Sequence, residues 1–392
     1  MKTRRSLIGG FLLACIFAVN PAAQAQTFSV IHNFTGGNDG AVPYNGFVAD
    51  GKTFYGTASS GGASGNGVVF KITTSGVETV LHSFSGGPDG ATPWGQLLRV
   101  KGGAIYGTTT AGGTSDAGTV FEIKGKTETV LYSFAGGADG ATPLAGLVED
   151  AAGNLYGTTS AGGANGNGTV FELIAPKITG GAWTKAVLYS FGTGTDGATP
   201  FGGVIFDSAG NLYGTTSAGG AYGYGTIFQL VAANSWTEKI LHNFQDGDDG
   251  AVPYAGLIAN KSGDFYGAAT EGGSNEGGTV YELTSSDGSW NFNVVYSVPG
   301  WGVSGTFRNV VLDSHGNLYA STHCDGANNA GTVYELSPSE GSWNYTLLYT
   351  FTGGSDGLYS VSDLVLNDGQ LYGTTLYGGA DNNGVVYEVT IN

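Results

Sequence analysis

The 392-residue sequence predicts an all-β protein, a seven-bladed β-propeller with four antiparallel strands per blade. The first observation is a Y-G-T-like core that recurs at intervals of 50 to 57 residues, with its tyrosine at Tyr55, Tyr106, Tyr156, Tyr213, Tyr266, Tyr319 and Tyr372. A repeat of about 50 residues is typical of propellers and related arrays. The second observation is that each repeat holds four short β-rich runs, and the third is the order of those runs at the two chain ends.

The third repeat shows the four runs clearly. They are the apolar pair Leu147-Val148, N-L-Y-G-T-T at 154–159, G-T-V-F-E-L at 168–173 and V-L-Y-S-F at 187–191. Val, Leu, Tyr, Phe and Thr favour strands, and Gly, Asn, Asp and Ser bound each run. D-A-A-G-N at 150–154 predicts a tight hairpin turn, in which Asp bonds a backbone N–H two residues on. Four antiparallel strands in about 50 residues make one propeller blade.

The order of the runs predicts that the blades close into a ring. After its first 25 residues the chain opens with a fourth run at 30–34, and it ends with a third run at 385–389. The N-terminal strand is therefore predicted to become the outer strand of the last blade. Closure removes the open sheet edges of a linear array, which would otherwise need polar capping repeats.

Residues 1–25 have the pattern of a secretory signal peptide. Lys2, Arg4 and Arg5 precede an apolar stretch at 7–19, and an A-x-A site ends at Ala25. This pattern predicts cleavage near Ala25 and export to the periplasm or the extracellular space. The single propeller domain is then residues 26–392. An alternative is lipidation of Cys15, which lies in a weak lipoprotein-like box. No second apolar stretch is long enough to span a membrane.

The charge and cysteine content restrict the partners and the stabilising bonds. The full chain has a formal charge of −17, and the leader removes three basic residues and no acidic one, so the mature chain carries about −20. Such a surface disfavours nucleic acid and anionic lipid. Cys324 alone remains after cleavage, which excludes an intramolecular disulfide. We expect a monomer held together by sheet packing.

These motifs resemble a known family. G-N-L-Y-G-T-T-S-A-G-G at 153–163, G-T-V-F-E-L at 168–173 and L-Y-S-F-x-G-G-x-D-G-A-T-P at 131–143 are similar to the GloVer tandem repeat, a choice-of-anchor tandem repeat of secreted and surface bacterial proteins. The resemblance covers nearly the whole mature chain. It implies a secreted or surface bacterial repeat protein and no established activity. The chain is by its own composition glycine-rich, with 72 glycines, and acidic.

The loops between runs two and three and between runs four and one are predicted to gather on one face. Most crossings contribute one aspartate: Asp39, Asp89, Asp139, Asp196, Asp249 and Asp356. Each aspartate either caps its own turn or belongs to a ring of Ca²⁺ sites, because hard cations prefer several oxygen ligands. A single carboxylate per crossing favours turn capping. We therefore expect no metal site and no cofactor, with Ca²⁺ as the alternative.

The innermost strand of each blade begins with the main ligand-binding candidates. The residue after the crossing proline, or its equivalent, is Tyr44, Trp94, Leu144, Phe201, Tyr254, and by alignment Phe307 and Val361. Rings at the channel mouth could stack on sugars, plug the channel or wedge between blades. The following positions are mostly Gly or Ala, with the polar exceptions Asn45, Gln96, Arg308, Asn309, Ser362 and Asp363. The candidate set is Tyr44, Asn45, Trp94, Gln96, Phe201, Tyr254, Arg308, Asn309 and Asp363.

Residue types suited to catalysis are not arranged in any motif that we recognise. The sequence contains no H-E-x-x-H motif and no paired-cysteine metal motif. Three histidines fall on outer strands, and adjacent residues such as His323 and Cys324 are expected not to form a catalytic couple. Blade six departs most from the repeat, through either drift or specialisation. Four tryptophans at one outer-strand offset are predicted to pack between blades: Trp183, Trp236, Trp290 and Trp343.

Three functions remain open at this point. The first is a non-enzymatic binding module for a glycan or another extracellular polymer or protein. The second is a polysaccharide lyase or hydrolase that uses channel-mouth groups such as Asp363 and Arg308. The third is a structural or adhesive scaffold. The fold cannot decide among them, because propellers host all three. An enzyme predicts converging ionisable groups with a perturbed pKa, whereas a glycan binder predicts several exposed rings.

Overall fold

The computed structural model describes residues 26–391, apart from residues 179, 287, 301–304 and 307. The predicted signal peptide with Cys15, and Phe307 among the site candidates, lie outside the described residues. The described chain forms a ring of seven blades, each a four-stranded antiparallel sheet, so the predicted fold class is confirmed.

The strands follow the repeat. Blade one contains β2 (Val48–Asp50), β3 (Thr53–Ala58), β4 (Val68–Thr73) and β5 (Glu78–Ser83), and β1 (Phe28–Asn33) precedes it. Blade two contains β6 (Ala91–Pro93), β7 (Leu98–Arg99), β8 (Ile105–Ala111), β9 (Thr119–Lys124) and β10 (Thr127–Ser133). Blade three contains β11 (Val148–Glu149), β12 (Leu155–Thr159), β13 (Thr169–Ile174) and β14 (Thr184–Ser190).

Blades four to seven continue the pattern. Blade four contains β15 (Gly197–Ala198), β16 (Ile205–Phe206), β17 (Leu212–Thr216), β18 (Ala218–Gly219), β19 (Thr226–Val231) and β20 (Thr237–Asn243). Blade five contains β21 (Ile258–Ala259), β22 (Phe265–Ala269), β23 (Glu276–Ser286) and β24 (Ser289–Pro299). Blade six contains β25 (Val311–Leu312), β26 (Leu318–Thr322), β27 (Thr332–Ser339) and β28 (Ser342–Thr350). Blade seven contains β29 (Val365–Asn367), β30 (Gln370–Thr375) and β31 (Val385–Thr390). Short 3₁₀ turns lie at Gly137–Asp139 and Ala232–Asn234.

Ring closure occurs as the order of the runs predicts. In blade seven the strand order is β1-β31-β30-β29, so the N-terminal strand is the outer strand of the last blade. Strands β1 and β31 are antiparallel, with Phe28 opposite Val389 and Asn33 opposite Val385. The hairpin turns between the first and second runs also form as predicted. Asp150 Oδ1 accepts the N–H of Ala152 at 2.8 Å, two residues on.

The hydrophobic core lies between the blades. The phenylalanine that ends an outer strand packs edge to face, or tilted, on the aromatic residue of the third strand in the next blade. Ring centroids are 5.1 to 5.5 Å apart in the pairs Phe34–Phe70, Phe84–Phe121, Phe134–Phe171, Phe191–Phe228, Phe244–Tyr281 and Phe351–Tyr387. The repeated Phe of V-L-Y-S-F and of G-T-V-F-E-L thus joins neighbouring blades. Burial of such rings is the main apolar contribution to stability.

The tryptophan prediction is also confirmed. Each of the four outer-strand tryptophans lies against the Y-G-T tyrosine of the preceding blade, in the pairs Trp183–Tyr106, Trp236–Tyr156, Trp290–Tyr213 and Trp343–Tyr266.

Within the part of the chain that the structure describes, no helix has the length and apolar character needed to cross a bilayer.

The first threonine of Y-G-T-T, or the serine in its place, forms a hydrogen bond between blades that the sequence analysis did not predict. Its hydroxyl donates to a backbone carbonyl on the innermost segment of the next blade. The pairs are Thr108–Ala145, Thr158–Gly202, Thr215–Ala255, Ser321–Ser360 and Thr374–Pro43, with distances of 2.6 to 3.2 Å. Blade five carries Ala268 at this position and cannot form the bond. These buried hydroxyls hold the walls of the channel in register.

Replacing Thr215 with Val is expected to destabilise the protein by about 1–3 kcal/mol, because the Ala255 carbonyl would lose its buried donor. The free energy of unfolding in urea would measure this loss. The control is Thr184→Val, which changes an exposed strand residue in the same way. Equal stability of the two variants would show that the bond between the blades contributes nothing.

Candidate functional site

Four of the predicted aromatic residues meet at one end of the channel. Tyr44 and Trp94 stack with their ring centroids 4.1 Å apart and their planes 5° apart. Trp94 lies 6.1 Å from Phe201, and Phe201 lies 4.6 Å from Tyr254 at a 58° tilt. All four side chains are partly exposed. The rings therefore form one cluster over the channel mouth, and we call Tyr44, Trp94, Phe201 and Tyr254 the aromatic mouth.

Leu144 and Val361, at the same repeat position, are buried. Arg308 extends the stack from blade six, with its guanidinium carbon 4.7 Å from the centre of the Tyr44 ring. Its Nε donates to the carbonyl of Val361 at 3.1 Å. These two contacts hold the planar guanidinium in one orientation, and a cation over an aromatic face is itself favourable.

Asp363 and Asn309 lie beside Arg308. Asp363 Oδ1 accepts the backbone N–H of Asn309 at 2.8 Å. Burial raises the pKa of the Asp363 carboxyl, while the charge of Arg308 and the N–H of Asn309 act in the opposite direction. Two buried polar atoms in this group, Arg308 Nη2 and Asn309 Oδ1, have no hydrogen-bond partner. Each of these two atoms therefore has hydrogen-bonding capacity that the protein does not use.

The other polar candidates form hydrogen bonds within the protein. Asn45 donates from Nδ2 to the Trp94 carbonyl at 2.7 Å and accepts the Gly46 N–H at 2.9 Å. Gln96 donates to the carbonyl of Phe47 at 3.3 Å. Ser362 accepts the N–H of Thr374 at 2.7 Å. These contacts hold the innermost segments together and leave Arg308 and Asn309 with free hydrogen-bonding capacity.

The channel behind the aromatic mouth contains a partly open cavity of about 300 Å³, and Phe201, Tyr254, Arg308, Asn309 and Asp363 contribute to its wall. Two consecutive residues of each innermost segment follow the aromatic position. In blade order they are Asn45-Gly46, Gly95-Gln96, Ala145-Gly146, Gly202-Gly203, Ala255-Gly256, Arg308-Asn309 and Ser362-Asp363. At these two positions blades three to five present only backbone and methyl groups, while the other four blades supply the polar side chains.

Glycine is required at part of this wall. A Cβ at Gly46 would lie 2.0 Å from the carbonyl oxygen of Asp363. One at Gly202 would lie 2.6 Å from the nitrogen of Gly256. Neighbouring blades approach so closely here that a side chain at either position would displace backbone atoms.

The six crossing aspartates are bound by their own turns. Asp39 accepts the N–H and the hydroxyl of Thr35, and Asp356 accepts the same two groups of Thr352. The same i−4 backbone bond occurs at Asp89, Asp139, Asp196 and Asp249. Among the described residues, no three or more His, Cys, Asp and Glu side chains are grouped so that they could hold a metal ion.

His323 and Cys324, which the sequence predicts not to form a catalytic couple, contact each other. Cys324 Sγ lies 2.6 Å from His323 Nδ1. The chain has left β26 at Thr322, and neighbouring side chains are no longer held on opposite faces of a strand. Burial raises the pKa of the Cys324 thiol, which disfavours the thiolate that a nucleophile needs. The contact therefore gives no support to catalysis.

The structure also shows carboxyl groups facing each other between blades, which the sequence analysis missed. The residue four positions before the Tyr or His of each outer strand lies at the junction with the preceding blade, and where it is charged it faces the crossing aspartate there. It is Glu78, Glu128, Lys185 or Glu238 at four junctions, and Phe292, Tyr345 or Phe28 at the other three. Lys185 pairs with Asp139 at 2.9 Å. Phe292, Tyr345 and Phe28 instead stack on the His or Tyr.

Glu78, Glu128 and Glu238 occupy, in their own blades, the position that Lys185 occupies in blade three, but they carry no positive charge. Burial, and next the charges of Asp39 and Asp89, raise the pKa of Glu78 and of Glu128 to about 7. Burial and Asp196 raise the pKa of Glu238 to about 8. One buried oxygen of each glutamate has no hydrogen-bond partner. The aligned Glu/Lys position was the available sequence signal, but only the packing of the blades brings it against the aspartate.

Seven repeats around an aromatic-capped channel define a tandem-repeat β-propeller. The chain belongs to the family described as the Gloeobacter/Verrucomicrobia repeat, whose model matches residues 9–207 and 203–392. This membership confirms the resemblance carried by the repeat motifs. No curated protein matches the chain.

Solved structures share the fold at low sequence identity. A polysaccharide lyase of family PL25, an ulvan lyase, is 10% identical with a TM-score of 0.54, and the match covers 93% of this chain and 95% of the lyase. A Bacteroides uniformis protein, proposed to be a 6-phosphogluconolactonase, is 15% identical with a TM-score of 0.53, over 82% and 88% of the two chains. The extracellular domain of a proposed hybrid two-component system of B. thetaiotaomicron is 9% identical with a TM-score of 0.59, over 92% of this chain and 39% of that one. These likenesses concern the fold alone.

Proposed function

We propose that this protein is a secreted or cell-envelope, non-enzymatic module that binds a glycan at the aromatic mouth. The observation that carries the proposal is the convergence of four partly exposed rings from four blades over a channel that contains unpartnered polar atoms. Aromatic rings provide apolar contact to sugar C–H groups, and a few placed polar groups orient the bound ring. The secretory pattern of residues 1–25 supports an extracellular ligand.

The neighbouring structures support the proposal only in outline. The ulvan lyase, which shares the fold, has also been solved bound to -[GlcA(1-4)Rha3S]-. Tyr44 and Trp94 cover one face of each other. A glycan would therefore meet their edges and polar atoms, together with the tilted rings of Phe201 and Tyr254.

Purified residues 26–392 are expected to bind a subset of polysaccharides on a glycan array, and Trp94→Ala is expected to weaken that binding at least tenfold. Loss of a central aromatic anchor commonly costs more than 1 kcal/mol in an interface. Tyr222→Ala is the control, because Tyr222 is an aromatic residue 56% exposed in a loop of blade four. Affinities would be measured with Ca²⁺ and with chelator.

Three outcomes of this experiment would change or reject the proposal. Binding to glycans that Trp94→Ala and Tyr222→Ala weaken equally would remove the aromatic mouth from the proposal. Chelator sensitivity would return attention to the crossing aspartates. Binding to no glycan would reject the proposal in favour of a scaffold or a protein partner.

A polysaccharide-acting enzyme is the second candidate, and Asp363 favours it. This buried carboxyl has a raised pKa beside Arg308 within the channel, an arrangement typical of acid–base sites. The test is release of new reducing or unsaturated ends from any polysaccharide that binds. Turnover that Asp363→Asn abolishes, while binding persists, would make the protein an enzyme and overturn the non-enzymatic proposal.

A further inference from the structure

Arg308 is a buried cation with spare hydrogen-bonding capacity. The residue is 7% exposed, and its Nη2 has no partner. None of the ion pairs in the described part of the chain includes Arg308. A buried donor without a partner costs free energy, and more so when the group is charged. Arg308 therefore keeps one donor atom without a protein partner at the wall of the channel.

The surroundings of Arg308 show where a ligand would lie. The Tyr44 ring on one side and the Val361 carbonyl at Nε hold the guanidinium in place. Asn309 contributes a second unpartnered atom, the acceptor Oδ1. Gly203 and Gly256, in blades four and five, also line the cavity and present no side chain. A Cβ at Gly256 would lie 3.3 Å from Asn309 Oδ1, so the part of the cavity without side chains borders this unpartnered atom.

We propose that this channel is a binding site for a single sugar acid, whose carboxylate accepts from Arg308 Nη2 and whose hydroxyl donates to Asn309 Oδ1. The inference rests on the proposed glycan-binding function and narrows it to acidic sugars. A cavity of about 300 Å³ is at the lower end of small-ligand sites and suits one monosaccharide ring. A carboxylate forms a charge-assisted hydrogen bond with a guanidinium, stronger than any bond that a neutral sugar offers.

An acidic sugar is preferred over a neutral one because the two ligands differ in the protein groups that they would leave without a partner. A neutral hexose supplies a hydroxyl to Arg308 but no opposite charge. Asp363 does not supply that charge within ion-pair distance, and its Oδ1 is occupied by the Asn309 N–H. A uronate satisfies the charge and both free atoms together. Its affinity is therefore expected to exceed that of glucose by at least tenfold.

The test is titration calorimetry of residues 26–392 with glucuronate, galacturonate and glucose at constant ionic strength. At least one uronate is expected to bind at least tenfold more tightly than glucose. Arg308→Gln is expected to remove that difference. Lys239→Gln is the charge-matched control, because it removes one positive charge from an exposed outer-strand position, and it is expected to leave the affinities unchanged.

A second variant covers the case in which Arg308→Gln does not fold. Gly203→Gln places in blade four the residue that blade two carries at the same position, Gln96. A Cβ at Gly203 would meet only ordinary contacts, 3.4 Å from the Gly146 carbonyl and 3.6 Å from Ala145. This side chain would fill the open half of the channel and is expected to abolish uronate binding while Arg308 stays in place.

The results separate this inference from the function on which it rests. If polysaccharides bind in a Trp94-dependent way but no uronate is preferred over glucose, or if Arg308→Gln leaves the preference intact, the sugar-acid site is wrong and the aromatic mouth stands. If uronate binding survives Gly203→Gln, the ligand does not lie in the channel and the inference fails. If neither polymers nor monosaccharides bind, both proposals fail.

Discussion

Deletion of residues 26–34 is expected to abolish cooperative folding of the whole ring. Strand β1 is the outer strand of blade seven, and its loss would leave β31 as an open edge. Phe28, which stacks on Tyr349 at 3.8 Å, would be removed with it. So would Phe34, which is fully buried and packs against Phe70 in blade one. The deletion therefore opens both junctions of blade seven at once.

Thermal and urea unfolding of the truncated chain would measure this effect. The matched control is a circular permutant in which residues 35–392 are followed by a short Gly/Ser linker and residues 26–34. It restores the same strand from the other end and is expected to unfold cooperatively near the temperature of the unpermuted protein. Phe34→Ala alone is expected to cost about 3–5 kcal/mol, because it leaves a cavity between two blades. A truncated chain that melts like the intact protein would show that closure is not needed for stability.

Replacing Glu78, Glu128 and Glu238 together with Gln is expected to stabilise the protein above pH 8 and to have little effect at pH 4.5. Each glutamate faces an aspartate of the preceding blade, and each has a folded-state pKa well above its ordinary value of 4.5. Each side chain is only half-buried, so solvent screening reduces the effect to roughly 1 kcal/mol per glutamate. The triple variant is thus expected to gain roughly 3 kcal/mol at high pH.

The direction of this pH dependence follows from the number of protons that the folded and unfolded chains bind. Between pH 4.5 and about 7, or about 8 for Glu238, the folded chain keeps protons that the unfolded chain has released. Stability from these groups is therefore greatest below pH 4.5 and falls as the pH rises through that window. Two histidines oppose this trend, because burial lowers the pKa of His32 and His242 and favours folding as pH rises towards 6.5. The difference between variant and wild type removes the histidine contribution.

Urea unfolding at several pH values from 4.5 to 9 would measure the difference. The control is the triple variant Asp248→Asn, Glu340→Gln and Asp381→Asn, which removes three carboxylates from exposed positions. It tests whether a lower net charge alone stabilises this acidic protein. A gain of equal size in both triple variants, or a gain that does not grow with pH, would contradict the proposed carboxyl pairs.

Much of the fold could be predicted from the sequence because the same pattern of strands and turns recurs in seven repeats. The tyrosine of the Y-G-T-like core, the four β-rich runs and the turn residues are local features that recur every 50 to 57 residues. Ring closure could be predicted too, because the fourth run at 30–34 and the third run at 385–389 are each incomplete without the other. The tryptophans at one offset similarly indicated packing between blades.

The site could be predicted only in part. The repeat register placed Tyr44, Trp94, Phe201 and Tyr254 at one level of the channel, yet it could not show that their rings pack on each other. Arg308 was conspicuous as a break in a Gly/Ala pattern. Its unpartnered Nη2, and the occupation of Asn45 and Gln96 by backbone carbonyls, depend on contacts between blades that are distant in sequence.

The sequence by itself determined the architecture, since strand periodicity, turn chemistry and repeat length depend on neighbours along the chain. Only the tertiary structure decided which polar groups are satisfied and which remain free. Glu78 and Asp39 face each other, Lys185 reaches Asp139, and Arg308 remains unpaired because each junction brings together residues from different repeats. The burial and pairing of these side chains depend on contacts at the junction between two blades, and the sequence of a single repeat does not determine them.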